Sequence, residues 1–309
     1  MLFAPVPGFL HNPWGLHQFK DTVLSHSGTE LPIALPGTRP ARLPETSARL
    51  PDKGARPRSA LRTIVALMLR EMSTRYGRSP GGYIWAVVEP LAGILMLAIA
   101  FSLLMRSPPL GSSFVLFKAT GMMPFMLYTG VANSIGHALQ FSRPLLQYPG
   151  VTWLDAILAR FFLNALTAVL VTYLILTGIL VWTGTRTVLD MGDIALSIGM
   201  AAVLGLGVGV LNCYLFMAFP IWEQAWAIAT RPLFLISGIL FIYEDLPKLV
   251  QDILWWNPLV HVTGLMRAGF YPMYYASYAS PLYVMTCAVV PLVTGLLLLR
   301  RHHLDLLNR

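Results

Sequence analysis

Apolar residues in this chain gather into long blocks with short polar interruptions between them. Six blocks approach or exceed the ~20 residues that a helix needs to cross a bilayer core. They run roughly from Tyr83 to Leu104, Leu116 to Ile135, Ala156 to Trp182, Ile194 to Phe219, Ala225 to Tyr243 and Tyr283 to Leu299. The stretch from Leu91 to Ala100 does not alternate, so it cannot be a membrane β-barrel strand. The pattern predicts an all-α integral membrane protein with six transmembrane helices.

Ahead of the first block the spacing changes. Leu61, Ile64, Val65, Met68, Leu69 and Met72 repeat at i, i+3, i+4 and i+7, while Arg62, Arg70 and Ser73 take the other side. With no soluble core to bury that face, residues 61–79 are expected to form an amphipathic helix lying in the membrane interface. Residues 1–60 are rich in Pro and carry no apolar period, which predicts a disordered cytoplasmic tail, with a docking segment that uses Trp14 or the basic stretch Lys53 to Arg58 as the alternative. Residues 80–309 make up the six-span domain. Between the fifth and sixth spans, two short helices are expected at Leu246–Trp256 and Pro258–Phe270. Irregular backbone at membrane depth persists only under a cover of protein or water, so these helices should be re-entrant or surface-lying.

Composition agrees with a membrane protein. Of the 309 residues 56% are hydrophobic and 12% charged, against about 25% charged in soluble domains. The net charge of +8 matters through its location. Half of the Lys and Arg precede the first span, and the last span runs into Arg300-Arg301-His302-His303. Cytoplasmic flanks collect such residues, so both termini are expected inside, as an even number of spans requires. Arg106, Arg186, Lys248 and Arg267 fall in external loops and soften the rule without reversing it. The charge therefore implies topology and attraction to anionic membrane lipid, and no nucleic acid. Cys213 and Cys287 both lie inside spans, which argues against a disulfide framework. The chain does not open on a basic start followed by an apolar run, so insertion is expected to use the first span.

The sequence holds no Gly-rich phosphate loop ending in Lys-Ser/Thr, no His-Glu-x-x-His, no nucleophile elbow and no acidic pair spaced for a metal. No catalytic, cofactor or metal site is expected, and His302-His303 reads as a solvated flank. Ionisable residues at membrane depth are the functional candidates. Arg160 and Arg231 enter the third and fifth spans; they either line a polar pathway for anionic groups or snorkel and pair with acidic neighbours. Glu89 is expected to make a structural pair, and Lys118 to snorkel as an anchor. Trp255, Trp256, Tyr271, Tyr274 and Tyr275, with Phe270, Tyr278 and Tyr283, follow or flank Trp256-Asn257-Pro258-Leu259-Val260-His261. Such rings serve equally as an interfacial belt or as a stacking surface for sugars. Gly199, Gly205, Gly207 and Gly209 suit close helix packing, and Pro232 suits a hinge.

Several motifs together resemble a known family. They are Ala66-Leu67-Met68-Leu69-Arg70-Glu71, Thr74-Arg75-Tyr76-Gly77, Gly82-Tyr83-Ile84-Trp85 and Glu89-Pro90, then Met123-Pro124-Phe125, Phe219-Pro220, Arg231-Pro232-Leu233-Phe234 and Trp256-Asn257-Pro258-Leu259-Val260-His261 with Arg267. In this order, over about Leu61 to Arg309, they resemble the permeases of type-2 ABC exporters, most closely the inner-membrane permeases of capsular polysaccharide export. The resemblance implies a homodimer of six-span subunits in the bacterial inner membrane. It implies a separate cytosolic ATPase that carries the ATP and Mg, a periplasmic polysaccharide copolymerase, an outer-membrane channel, and a lipid-linked acidic polysaccharide as cargo. It casts Arg70, Arg75 and Trp85 as a cytoplasmic gate and Gln140, Phe141, Ser142 and Arg143 as the ATPase-coupling loop. Arg160, Arg231, Arg267 and the aromatic set become a substrate pathway. Two departures stand out: the long N-terminal tail, and Pro80-Gly81 where a basic-apolar pair is expected. Similar permeases export O-antigen, teichoic acid or drugs. An integral-membrane transferase would need acidic or His residues facing a cleft, and the sequence supplies no such set.

Overall fold

Ten helices account for the regular structure of the residues that the computed structural model describes: 56–76, 82, 84–146, 151–184 and 187–307. They are α1 (Arg56–Tyr76), α2 (Ile84–Leu104), α3 (Phe114–Gly136), α4 (Ala138–Ser142), α5 (Trp153–Thr183), α6 (Met191–Ala218), α7 (Pro220–Ile236), α8 (Lys248–Leu254), α9 (Pro258–Phe270) and α10 (Pro281–Leu307). Five of them, α2, α3, α5, α6 and α10, are long and apolar enough to cross a membrane. The expected tail lies outside the described residues up to residue 55, where α1 is about to begin.

The bundle is built around α3 and α6. Small residues let α6 approach its neighbours at backbone distance. A Cβ on Gly205 or Gly209 would stand 2.9 Å from the carbonyl oxygens of Tyr128 and Ala132 on α3. On another side, a Cβ on Gly207 would come within 2.0 Å of the Ala288 oxygen of α10. Gly295 of α10 answers it, with the Leu211 nitrogen 2.7 Å from its would-be Cβ. Gly199, grouped with these by sequence, faces open space. Leu127, Val131, Ile135, Leu204, Val210 and Leu259 fill the core between these helices.

Helix ends follow local chemistry. Thr152 and Asp155 form a reciprocal capping box at the start of α5: Asp155 N–H donates to Thr152 Oγ1 at 3.2 Å, and Thr152 N–H to Asp155 Oδ2 at 3.0 Å. Asp190 Oδ1 accepts from the N–H of Gly192 at 2.8 Å and opens α6. Asp190 N–H donates to the Gly269 oxygen at 2.9 Å, tying the start of α6 to the end of α9.

The fifth apolar block behaves differently from the expectation of one helix through Tyr243. α7 has 17 residues and stops at Ile236, and residues 237–247 are irregular. Gly238 adopts φ +75°, the left-handed conformation that closes helices and that a side chain disfavours. The Ser237 hydroxyl turns back onto the Leu233 carbonyl. The carbonyls beyond this break are taken up by side chains from other helices. Block length cannot reveal that stop, because the apolar run continues through it.

Candidate functional site

Two polar regions stand out, one at each end of the bundle. At the α4 end, α1 lies along α5, and Glu71 of α1 is buried there. Arg160 Nε of α5 sits 3.1 Å from Glu71 Oε2. The same guanidinium donates through Nη1 to the Ser134 oxygen at 2.8 Å and covers the Phe141 ring at 4.4 Å from its centroid. Asn164 Nδ2, one turn further along α5, donates to Ser134 Oγ at 2.7 Å and to the Arg160 oxygen at 2.8 Å. Arg70 approaches Phe141 from α1, 6.0 Å from the ring centroid. Phe141 thus links α4, α1 and α5. A cavity of about 460 Å³ opens beside it, lined by Glu71, Asn133, Ser134, His137, Phe141 and Arg160. At its rim His137 Nε2 meets Glu223 Oε1 at 3.0 Å, joining the end of α3 to α7.

The other expected residues of this end are spread around that centre. Gln140 within α4 and Arg143 at its C-terminal end are exposed, and Ser142 is buried. Trp85 is exposed on α2. The Arg75 side chain lies outside the described residues.

At the α9 end two buried cations hold the irregular link. Arg267 is 2% exposed. It donates through Nη1 to the Phe241 oxygen at 2.7 Å and through Nη2 to the Ile239 oxygen at 3.2 Å, with its guanidinium carbon 4.2 Å from the Phe117 ring centroid. Lys118 Nζ donates to the carbonyl between them, Leu240, at 3.2 Å, and lies 3.5 Å from the Phe101 ring centroid. Three consecutive carbonyls are therefore satisfied by two cations from α9 and α3. Lys118, expected to snorkel, instead points into protein because those carbonyls need a donor.

Asn257 is the pivot of the same region. Its Nδ2 donates to the last carbonyl of α7, Ile236, at 2.9 Å, while its Oδ1 accepts from the Leu259 N–H at 3.1 Å and starts α9. Pro258 follows at the first helical position, where a missing N–H costs nothing. His261 is fully buried: Nδ1 accepts from the Ser280 N–H at 3.1 Å, so Nε2 carries the proton and donates to the Trp255 oxygen at 2.7 Å. Burial holds its pKa below the ordinary value, consistent with this neutral tautomer. Trp255 leans on Tyr283, with centroids 4.9 Å apart, and Tyr243 stacks on Tyr278 at 4.0 Å. Tyr274 donates to Glu244 Oε2 at 2.9 Å, and Tyr271 is buried. Trp256 and Tyr275 are exposed, at 70% and 81%. Arg231 is exposed on α7, just before Pro232.

The structure therefore brings Arg160 and Phe141 together at one end, and Arg267, Trp255, Tyr271 and Tyr274 at the other. Arg231, Trp256 and Tyr275 stay on the surface. Glu71 and Asn257 stand in motifs quoted from the sequence, but the sequence assigned neither of them a role. The Asn257-Pro258 step carried an N-cap signature, whereas nothing local marks Glu71 as the partner of Arg160.

Residues 62–271, more than half of the chain, match the ABC-2 type transporter family. The chain belongs to that family. Relatives agree along most of its length. The ABC-2 chain is 32% identical to the polysialic acid transport protein KpsM of Escherichia coli over 240 residues, 77% of this chain and 92% of that protein. It is 27% identical to the capsule polysaccharide export inner-membrane protein CtrC of Neisseria meningitidis serogroup A, over 78% of this chain and 91% of that one. The corresponding protein BexB of Haemophilus influenzae is 25% identical over 77% and 90%. Permease subunits of ABC-2 transporters are not themselves enzymes, and a separate ATPase subunit supplies the energy. The missing phosphate loop in this ABC-2 sequence accords with that division of labour. An inner-membrane, multi-pass location follows from the same relatives and from the five apolar helices.

Proposed function

We propose that this chain is the permease of an exporter that moves a lipid-linked acidic capsular polysaccharide across the bacterial inner membrane. The carrying observation is the similarity to KpsM, CtrC and BexB over about nine-tenths of their lengths. In this reading two copies form a homodimer. Each has six spans, with α7 as the fifth, and both termini in the cytoplasm. A cytosolic ATPase binds ATP and Mg beneath α4. A periplasmic copolymerase and an outer-membrane channel take the polymer onward.

The positions of the side chains support the following roles. Closure of the ATPase moves α4, and Phe141 passes the movement to α1 and α5 through Arg70 and Arg160. Glu71 makes α1 follow α5, so the interfacial helix acts as a gate beside Trp85 and Arg75. Arg231 is the exposed cation that meets the acidic polymer. Trp256 and Tyr275 offer it stacking surfaces, since flat rings hold a sugar face without fixing its sequence. Arg267, Trp255, Tyr271 and Tyr274 hold the outer segment that these exposed rings stand on.

Deleting the gene in its native cells tests the reading. The expected result is acidic polysaccharide accumulating inside the cell and missing from its surface, with both restored by the wild-type gene. Unchanged surface polysaccharide contradicts the proposed cargo.

A further inference from the structure

Glu89 and Arg231 carry opposite charges, are exposed, and have no ion-pair or hydrogen-bond partner among the described residues. Their helices are thinly covered: α2 buries only Pro90, Ile94 and Ala98, and α7 buries no residue. On α2 the exposed positions Trp85, Glu89, Ala92, Met96 and Ile99 form one stripe, spaced as i, i+4, i+7, i+11 and i+14. Its apolar members suit lipid or protein alike, but an unpaired carboxylate suits neither. On α7, Arg231 lies between exposed Ile228 and Leu235.

α3 provides a ruler for depth. Gly93 of α2 faces Met122, and Phe101 faces Lys118, so Glu89 falls level with Met126 to Gly130. The Phe234 ring of α7 meets Phe125 at 5.5 Å, which puts Arg231 level with Tyr128. The two charges therefore stand within about half a helical turn, ~3 Å, of the same height. Within one chain α2 rests mainly on α3 and α7 on α6, and the charges stay apart.

We propose that Glu89 of one copy pairs with Arg231 of the partner subunit, holding α2 of each copy against α7 of the other. The proposal rests on the homodimer reading above and specifies which helices meet. Two-fold symmetry forms the pair twice. The pair neutralises Arg231 in the resting dimer, and an acidic polymer reaches it by displacing the carboxylate.

The test is native mass spectrometry of the intact complex in mild detergent, for wild type, Glu89→Arg, Arg231→Glu and the double reversal. Wild type is expected to hold two copies. Each single reversal should weaken the dimer by about tenfold or more, and the double reversal should return it to within about threefold of wild type. Two copies in wild type with unaffected single variants, or a double variant no better than the worse single, overturns the pair and leaves the homodimer standing. A single copy in wild type overturns both. If a reversal variant fails to insert, Glu89→Cys with Arg231→Cys in a Cys213→Ala, Cys287→Ser background replaces it. A short bifunctional maleimide should then give a cross-linked dimer, and its absence in a protein that is dimeric by mass also overturns the pair.

Discussion

Arg160 of α5 and Glu71 of α1 form a buried ion pair, 3.1 Å between Nε and Oε2, that fastens the amphipathic helix to the bundle. Both side chains are largely buried, and their attraction offsets part of the cost of that burial.

Breaking that pair on one side should be costly. Glu71→Gln removes the carboxylate that Arg160 Nε faces, and about 3 kcal/mol of stability should be lost. Glu71→Gln combined with Arg160→Met should recover most of it, because no uncompensated charge remains. Unfolding of the purified protein by SDS titration in mixed micelles reads both. Equal stability of all three proteins contradicts a structural role for the pair.

The arginines should separate by role. Arg267→Met removes two charge-assisted bonds to the Ile239 and Phe241 carbonyls, and stability should fall by about 3 kcal/mol. Arg231→Ala touches no partner within the chain, so the monomer's helical content and melting should stay near wild type while export of acidic polymer falls. Circular dichroism melts, paired with cationic-dye staining of surface polysaccharide, measure the two effects side by side.

Asn257 joins two helix ends with one side chain. Asn257→Ala loses both the cap on α9 and the donor to Ile236, at an expected cost of about 2 kcal/mol. Asn257→Asp keeps the cap but turns an acceptor toward the Ile236 oxygen, so it should be no more stable than the alanine variant. The same SDS titration decides.

Glycine substitutions on α6 should go opposite ways. Gly207→Ala would place its Cβ 2.0 Å from the Ala288 oxygen, and shifting α10 to relieve the clash should cost about 3 kcal/mol. Gly199→Ala meets nothing within 4 Å and should stabilise the helix by up to about 1 kcal/mol. Melting temperatures in one detergent compare the two directly.

Much of the architecture was legible because membrane helices are encoded locally. Apolar block length placed α2, α3, α5, α6 and α10 to within a few residues at most of their ends, and the apolar positions of the last long link placed α9 at Pro258–Phe270. The end of α7 escaped notice for a physical reason: its stop depends on Asn257, Arg267 and Lys118, all remote in sequence from residues 236–241. The fates of the charged residues were hidden in the same way. Glu71 and Arg160 meet across 89 positions, and no periodicity records that distance. Lys118 looked like an anchor because its neighbours in sequence are apolar, whereas its partner is a carbonyl 122 positions away.

The most direct test of the permease reading is purification of the chain from its native membranes in mild detergent, with ATP hydrolysis assayed on the eluted material. An ABC ATPase eluting in equal amount, whose turnover depends on this chain, is the predicted result. A chain that elutes without an ATPase, from membranes where the ATPase is present and active, would contradict it.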